Sequence, residues 1–185
     1  MKGAYKKEAF LPLLFLDDYH QEENIAREYF SMIGTYAEPH GSDIFIKHIK
    51  EAYEIGSKQK FQIATRSDIT DMISDPIYKK MQDEGQLLVQ QGRPLTEEEM
   101  SAAYRRSVAT WNGYRRSTQS GVLPNAFMQG TPVIATKLGS FEEFVKNGHT
   151  GVFIDDFERA TITDAVCKVQ RAGKSMNEEC REFFL

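Results

Sequence analysis

Hydrophobic residues along this chain alternate between two spacings. Short β-branched, aromatic or other apolar runs predict strands, and longer stretches with apolar residues every three or four positions predict helices. The predicted strands are Tyr29–Ile33, Phe61–Thr65, Gln86–Gln90, Ser107–Trp111, Pro132–Thr136 and Gly151–Ile154. The predicted helices are approximately Ser42–Ile55, Asp68–Asp83, Thr96–Arg106, Leu123–Gln129, Ser140–Lys146 and Phe157–Ala172.

The repeated order of strand and helix predicts the fold class. Such an alternation is typical of a parallel sheet with helices on both faces. We therefore predict an α/β, Rossmann-like three-layer domain with about six parallel strands. Residues 28–185 would form it, and residues 1–27 would be an interdomain connection or a first element. A last helix is expected over Asn177–Leu185, and its apolar end, Phe183 to Leu185, suggests that this helix is truncated.

Several helix ends have a chemical signature. Thr96 followed by Glu99 predicts a capping box, and Ser140 followed by Glu143 fits the same pattern. Glu142 and Glu143 could also be read as an acid/base pair, but capping is the simpler interpretation of Glu143. Gly56 and Gly173 stand where helices are expected to end.

Composition excludes several functional classes. A net charge of −4 does not favour nucleic acid or an anionic membrane as the partner. Cys167 and Cys180 are interpreted as reduced thiols, and the four histidines lack metal-ligand spacing, so no metal is expected. The apolar run 10–16 is too short to span a bilayer and lacks a signal-peptide cleavage site, so a cytoplasmic protein is expected.

The segment after the fourth predicted strand has the composition of an anion-binding loop. Pro124 favours a helix that begins near Leu123, because proline is tolerated only in the first turn. The backbone amides of Ser120, Gly121 and Val122 would then be free at the positive end of the helix dipole. Gly121 would let a phosphate or pyrophosphate approach the backbone closely.

Side chains in the same loop fit that interpretation. Ser117, Thr118 and Ser120 supply hydroxyls, and Arg115 and Arg116 supply positive charge. The alternative for the loop alone is a polar turn whose Ser and Gly residues serve only local capping. No Walker-type Gly-Lys-Ser/Thr occurs, and no Gly-x-Gly-x-x-Gly follows the first strand, which argues against a P-loop NTPase or a nicotinamide enzyme.

The stretch from Thr118 to Ile154 closely resembles the C-terminal domain of retaining glycosyltransferases of family 4, the large group 1 family with the two-domain GT-B fold. Upstream the similarity is weaker and extends to about Tyr29. The residues that carry it are the helix 126–130, the strand 130–135, the turn Leu138-Gly139, Glu143, the turn 147–151, and upstream Gly34, Gly41 and Gly92.

The resemblance implies a function and a site. The family transfers a sugar, with retention, from a nucleoside-diphosphate sugar and needs no metal or other cofactor in this fold. Amides of Ser120–Val122 would hold the donor diphosphate, near Gly34. The glycan or lipid-linked acceptor would bind an N-terminal domain absent from these residues, so the isolated fragment is expected to be inactive. Surface polysaccharide biosynthesis is the role that the family suggests.

Two departures from the family pattern affect the expected site. The family places two glutamates around the donor loop, and the matching positions here are Ser117 and Asn125. Asn125 retains the ability to hydrogen-bond a ribose hydroxyl, less strongly than a carboxylate would. Serine is too short to replace a glutamate.

The second departure concerns the basic pair that the family places after the first strand. The loop 34–41 has no Arg or Lys, and His40 occupies approximately the Lys position. Histidine is only partly charged near neutral pH. Arg66, Arg93 and Arg115, each beyond a strand, are alternative sources of positive charge.

These departures leave three functions open. The first is the glycosyltransferase donor domain. The second is a degenerate, inactive homologue that acts as a nucleotide-sugar-binding or scaffold partner, and the third is an epimerase or phosphorylase of the same architecture.

Two aromatic residues near the loop have separate expectations: Trp111 packs in the core, and Tyr114 is the better candidate for stacking on a nucleotide base.

Overall fold

The computed structural model describes residues 17, 25–116 and 121–185. Six strands run through this part of the chain: β1 Tyr29–Ile33, β2 Lys60–Ala64, β3 Leu87–Gln90, β4 Ser107–Asn112, β5 Val133–Thr136 and β6 Gly151–Ile154. The helices are α1 Ser42–Glu54, α2 Pro76–Asp83, α3 Glu97–Arg105, α4 Val122–Met128, α5 Ser140–Phe144, α6 Arg159–Ala172 and α7 Lys174–Phe184, with a 3₁₀ turn at Glu38–His40.

All six strands pair in parallel, in the order β3-β2-β1-β4-β5-β6. The chain first builds outward from β1 to β3, then crosses back to β4 and builds outward on the other side to β6. The strand order therefore reverses between β1 and β4. The predicted α/β fold with about six parallel strands is confirmed, and this reversal point is where such sheets bind ligands.

The strands form because their apolar residues are buried on both sheet faces. One core cluster packs α1, α2 and α6 against the sheet, with Phe30, Phe45, Phe61 and Trp111 at its centre. The second packs α3, α4 and α5 on the other face and includes Tyr104, Leu123, Phe127 and Phe141. Trp111 is only 4% exposed, so its predicted core role is confirmed.

The predicted helix over Asp68–Asp83 is wrong in its first half. Only Pro76–Asp83 is helical. The Asp75 side chain accepts a hydrogen bond from the Ile77 amide at 3.0 Å and caps the helix there. Upstream, the Asp68 carboxylate accepts from the amide of Thr70 at 2.9 Å, which is a local turn that competes with helix.

The two predicted capping boxes have different outcomes. At Thr96 the box is confirmed: its hydroxyl accepts from the Glu99 amide at 3.1 Å, and Glu99 accepts from the Thr96 amide at 2.9 Å. At Ser140 the prediction is wrong, because the N-cap is Gly139, with φ of 52° and no side-chain cap. Gly139 therefore occupies the N-cap position that the predicted capping box assigns to Ser140.

The last helix begins earlier than predicted, at Lys174, directly after Gly173 ends α6 with φ of 56°. Phe183 packs edge-on against Phe127, with ring centroids 5.6 Å apart, so part of the apolar end is already covered. Both cysteines are free thiols. No helix in the described part of the chain has the length and apolar character needed to cross a membrane.

Candidate functional site

A cleft of about 290 Å³ opens at the carboxyl ends of β1 and β4, where the strand order reverses. The loop after β1 contributes Gly34 and Thr35, and the 3₁₀ turn contributes His40. The β4 side contributes Tyr114 and the first turn of α4. The structure thus brings together three sequence-predicted regions: the β1 loop, the β4 loop and the start of α4.

Glycine lets the two loops approach each other. Gly41 has φ of 66°, and a Cβ at this position would lie 2.2 Å from the carbonyl oxygen of Gly113. The carbonyl of Gly41 accepts a hydrogen bond from the Trp111 indole at 3.0 Å. The amide of Arg115 donates to the Pro39 carbonyl at 2.8 Å. These contacts fix the β1 loop against the β4 loop and so set the width of the cleft.

His40 and Tyr114 form one wall of the cleft as a stacked pair. Their ring centroids are 4.4 Å apart and the planes are inclined by 15°. Tyr114 also packs against Phe141 in T-shaped geometry, with ring centroids 4.8 Å apart, and is only 5% exposed. The ring that the sequence suggested for stacking on a base is therefore stacked on His40, and base stacking by Tyr114 stays a prediction.

The opposite wall is the first turn of α4. Gly121 is the N-cap residue with φ of −66°, and a Cβ there would meet no atom within 4 Å, so the position is open to the cleft. The Asn125 side-chain amide donates to the Gly121 carbonyl at 3.0 Å. That bond uses one donor of the amide and leaves the side chain on the cleft lining. Ser117, Thr118 and Ser120 lie outside the described residues, so their predicted roles are untested.

The candidate arginines do not line the cleft. Arg115 binds Asp43 through two nitrogens, at 2.9 and 2.8 Å, and this pairing raises the pKa of the guanidinium. Arg93 binds Glu99 in the same bidentate way, at 2.8 and 2.5 Å. Arg66 is exposed beyond β2. Of these candidates only His40 lies in the cleft, and the described lining contains no Arg, Lys, Asp or Glu.

Tyr104 is a cleft residue that sequence reasoning missed. It comes from α3, together with Met100, and burial raises the pKa of its phenol. The signal was absent because Tyr104 lies near the end of α3, whereas ligand-binding residues were sought in the loops that follow strands. Its packing depends on the crossing of α3 over the sheet, which no local pattern reveals.

Arg27 is a second residue that sequence reasoning missed, at the other edge of the sheet. Its guanidinium donates to the carbonyls of Ser107 and Gln129, at 3.0 and 2.6 Å, and to the Thr131 hydroxyl at 2.9 Å. It therefore joins the segment before β1 to the beginning of β4 and to the end of α4. These partners are between 80 and 104 positions away in the chain.

In the described part of the chain, no group of three His, Cys, Asp or Glu side chains is arranged so that it could hold a metal ion. The expectation that the reaction needs neither metal nor other cofactor stays a prediction, because the described residues cover only part of the chain.

A doubly wound parallel sheet with a cleft at the strand reversal defines the class of the protein as a Rossmann-like α/β domain. The chain belongs to the group 1 glycosyltransferases, since the family model described as "Glycosyl transferases group 1" matches residues 27–171. A search of curated protein sequences finds no match.

Solved structures share the fold of this chain. The structure of TarM superposes with a TM-score of 0.71 at 14% identity and covers 92% of this chain and 34% of its own. The C-terminal domain of the group 1 glycosyltransferase LpcC from Francisella tularensis gives 0.64 at 16% identity and covers 86% and 84%. The pneumococcal O-GlcNAc transferase GtfA, in complex with UDP and GlcNAc, gives 0.64 at 17% identity and covers 86% and 33%. The chain therefore has the fold of a GT-B C-terminal domain and spans about a third of TarM and GtfA.

Proposed function

We propose that this domain binds a nucleoside-diphosphate sugar in the cleft between β1 and β4 and supplies the donor half of a retaining glycosyltransferase. The acceptor, a glycan or a lipid-linked glycan, would bind a second domain outside these residues, in a cytoplasmic enzyme of surface polysaccharide biosynthesis. The observation that carries the proposal is the position of Gly121 and the first turn of α4 at the strand reversal, facing Gly34 and His40.

The chemistry follows from the lining. A diphosphate leaving group gains negative charge as the sugar bond breaks, and fixed donors aimed at that charge lower the barrier. The open backbone at Gly121 and the positive end of the α4 dipole supply such donors. His40 is the ionisable side chain best placed to add a proton or a positive charge, since Arg115 is held by Asp43.

Gly121 allows a sharp test of the donor site. Its backbone angles suit any residue and a Cβ meets nothing within 4 Å, so Gly121→Ala should leave the fold intact. The added methyl group would stand where the diphosphate approaches. We expect nuclear magnetic resonance titrations with UDP, GDP and ADP to shift the backbone amides of Gly121 to Leu123 and of Asn125. We expect the variant to lose about tenfold in affinity for the preferred diphosphate.

Thermal unfolding of Gly121→Ala supplies the control, because an unchanged midpoint shows that lost binding is local. Equal diphosphate affinity in the variant and the wild type would place the ligand elsewhere. A response to one base but not the others would identify the donor nucleotide.

A second candidate is a nucleotide-sugar-binding or scaffold partner without turnover. The observation that favours it is the described cleft lining, which lacks both the family carboxylate at Asn125 and any Arg or Lys. The two candidates differ in the protein that carries the acceptor domain as well. Sugar transfer that is lost in His40→Ala supports the enzyme, whereas diphosphate binding without hydrolysis or transfer supports the partner.

A further inference from the structure

The imidazole of His40 lines the donor cleft with its nitrogens unengaged by the described residues of the chain. The side chain is half-buried, and no hydrogen bond or ion pair within the described residues involves its ring. By contrast, Arg115 is bound by Asp43 through two nitrogens, and the exposed His149 contacts Glu179 at 2.6 Å. The ring nitrogens of His40 are therefore available to a ligand in the cleft.

Tyr114 fixes the plane of the His40 ring. The two rings are stacked, with centroids 4.4 Å apart and planes inclined by 15°. Tyr114 is itself held in place, because Phe141 packs against it in T-shaped geometry and the Thr136 hydroxyl donates to its carbonyl at 2.6 Å. The face of an aromatic ring attracts a cation, so the stack favours the protonated imidazole over the neutral one.

The charged side chains nearest to His40 already bind each other. Glu38 belongs to the same 3₁₀ turn, and Asp43 lies in the first turn of α1. The Arg115 guanidinium lies 3.8 Å from the Glu38 carboxylate and 2.8 Å from that of Asp43. These three groups keep their charges near neutral pH, so they do not gain or lose protons when a ligand binds there.

The other titratable groups around the cleft are phenols. Burial raises the pKa of Tyr36, in the loop after β1, and that of Tyr104, in α3, so both are neutral near pH 7. The first turn of α4, from Val122 to Asn125, has no titratable side chain. Among the described residues of the cleft, His40 is thus the group whose charge changes between about pH 5 and pH 8.

The protonation of His40 and the binding of a diphosphate must therefore influence each other. A hydrogen bond from an imidazolium to a phosphate oxygen is roughly twice as strong as one from a neutral imidazole. Such a gain corresponds to about tenfold in affinity. By thermodynamic reciprocity, a proton that strengthens ligand binding is itself held more strongly, by the same factor, once the ligand is bound.

We propose that the domain takes up a proton on His40 when a nucleoside-diphosphate sugar binds, and that Tyr114 is the positioning residue that holds the imidazolium in the cleft. The inference rests on the proposed donor function. The protonated form binds the diphosphate more tightly, so the affinity falls as the pH rises and His40 loses its proton. Donor binding is then regulated by pH.

Isothermal titration calorimetry with UDP-glucose, GDP-mannose and ADP-glucose tests the proposal. In these probes the terminal phosphate is esterified and lacks the group that titrates near about pH 6, so any proton taken up is bound by the protein. Titrations at pH 7.5 in PIPES and in Tris, whose heats of ionisation differ, count the protons. For the probe that binds best, we expect uptake of about 0.4 proton per ligand and an affinity about fivefold higher at pH 6 than at pH 8.

Two histidine variants assign the proton. His40→Gln keeps a polar side chain in the cleft but cannot be protonated. It should bind the probe without proton uptake, with the same affinity at pH 6 and pH 8, close to that of the wild type at pH 8. His149→Gln removes an exposed histidine on another surface and should keep the uptake and the pH dependence of the wild type.

The role of Tyr114 is tested by the pH at which the affinity falls. Tyr114→Phe keeps the stacked ring and should retain the wild-type pH dependence. Tyr114→Leu removes the ring face from the imidazolium, so the fall in affinity should move lower by about half a pH unit. Tyr114→Met, whose flexible side chain fills irregular gaps, replaces Tyr114→Leu if the backbone spectrum shows that the latter does not fold.

The outcomes separate this inference from the donor function. Binding of a probe without proton uptake overturns the inference and leaves the donor function standing, and so does uptake that persists in His40→Gln. A wild-type pH dependence in the folded Tyr114→Leu or Tyr114→Met variant overturns the role given to Tyr114. Failure of all three probes to bind at pH 6 below about 10 mM overturns the inference and the donor function together.

Discussion

The amino and carboxyl edges of the sheet differ in how their polar groups are engaged. At the amino edge, the Arg27 guanidinium donates hydrogen bonds within the chain, to the carbonyls of Ser107 and Gln129 and to the hydroxyl of Thr131. At the carboxyl edge, the first turn of α4 opens onto a cleft whose described lining has no Arg, Lys, Asp or Glu. Arg27 joins the segments at the amino edge by internal hydrogen bonds, whereas the carboxyl edge has an open cleft at the strand reversal.

The difference follows from the parallel arrangement of the strands. All the strands end at one edge, and α1, α3, α4 and α5 begin after loops at that edge, so the amino-terminal turns of these helices collect there. Helix amino-termini favour anions, and the proposed diphosphate site therefore lies at this edge. At the amino edge the helices end with unpaired carbonyls, and an arginine satisfies them without any ligand. Stability should therefore depend most on internal contacts, and binding on the open turn at Gly121.

The largest effect is expected for Gly41→Ala, which tests whether the carboxyl edge is rigid. The positive φ and a Cβ only 2.2 Å from the Gly113 carbonyl oxygen would together cost about 4 kcal/mol of unfolding free energy. Urea unfolding measures the loss. Gly56→Ala is the matched control, with φ of 78° but nothing within 4 Å of the added Cβ, and should lose only about 1 kcal/mol. Similar losses in both variants would mean that the β1 and β4 loops accommodate the added Cβ at Gly41 without a clash with Gly113.

The next largest effect is a pH dependence at His48. Its folded pKa of about 4 lies below the value near 6.5 of an unfolded histidine, so the unfolded state binds more protons between these values. Stability therefore decreases as the pH falls through this window, by up to about 3 kcal/mol. Denaturant unfolding of the wild type and of His48→Phe at pH 7 and pH 4 should show a smaller decrease in the variant. A matching decrease in both would assign the acid sensitivity to other groups, and His149→Phe should behave as the wild type does.

Arg27→Ala tests the internal bonding of the amino edge. Removing a half-buried guanidinium that serves several acceptors should cost about 2 kcal/mol, because the carbonyls at the end of α4 and the start of β4 lose charged donors. Diphosphate affinity should be unchanged once the protein is folded. Arg106→Ala, which removes a single bond to the Ala102 carbonyl at 3.2 Å, should cost less. A large loss of nucleotide affinity in Arg27→Ala would show that the two edges are coupled.

The smallest effect is expected in the cleft itself. Asn125→Asp restores a carboxylate in the first turn of α4, where it also complements the helix dipole. A charge-assisted bond to a ribose hydroxyl should improve on that of the amide by about 1 kcal/mol, or about fivefold in affinity for the diphosphate. Isothermal titration calorimetry measures the change. Weaker binding by Asn125→Asp would indicate that the side chain faces the diphosphate and not the ribose.

Local patterns were sufficient for most of the fold. The strand Tyr29–Ile33 and the capping box at Thr96 were predicted correctly, because apolar runs and cap residues act over a few neighbouring positions. The failures at Asp68 and Ser140 occurred where two local options compete. Asp75 caps a later helix start, and Gly139 replaces Ser140 as the cap, so single-residue preferences could not decide between them.

The candidate site was predictable only in part. The sequence placed Gly121 at the start of a helix after a strand, since Pro124 limits where that helix can begin. The sequence could not show which positively charged side chain would be available to the cleft, because Arg115 is bound by Asp43, which lies 72 positions away in the chain. His40 and Tyr114 come together only when the loops of β1 and β4 meet.

The sequence by itself therefore determined the alternation of strands and helices, the family and the helix start after Gly121, all of which depend on short-range chemistry or on one continuous motif. The tertiary structure decided the strand order, the pairing of Arg115, the role of Arg27 and the burial of His48. Each of these depends on residues far apart in the chain, and the free energy of their contacts exists only after the sheet has assembled.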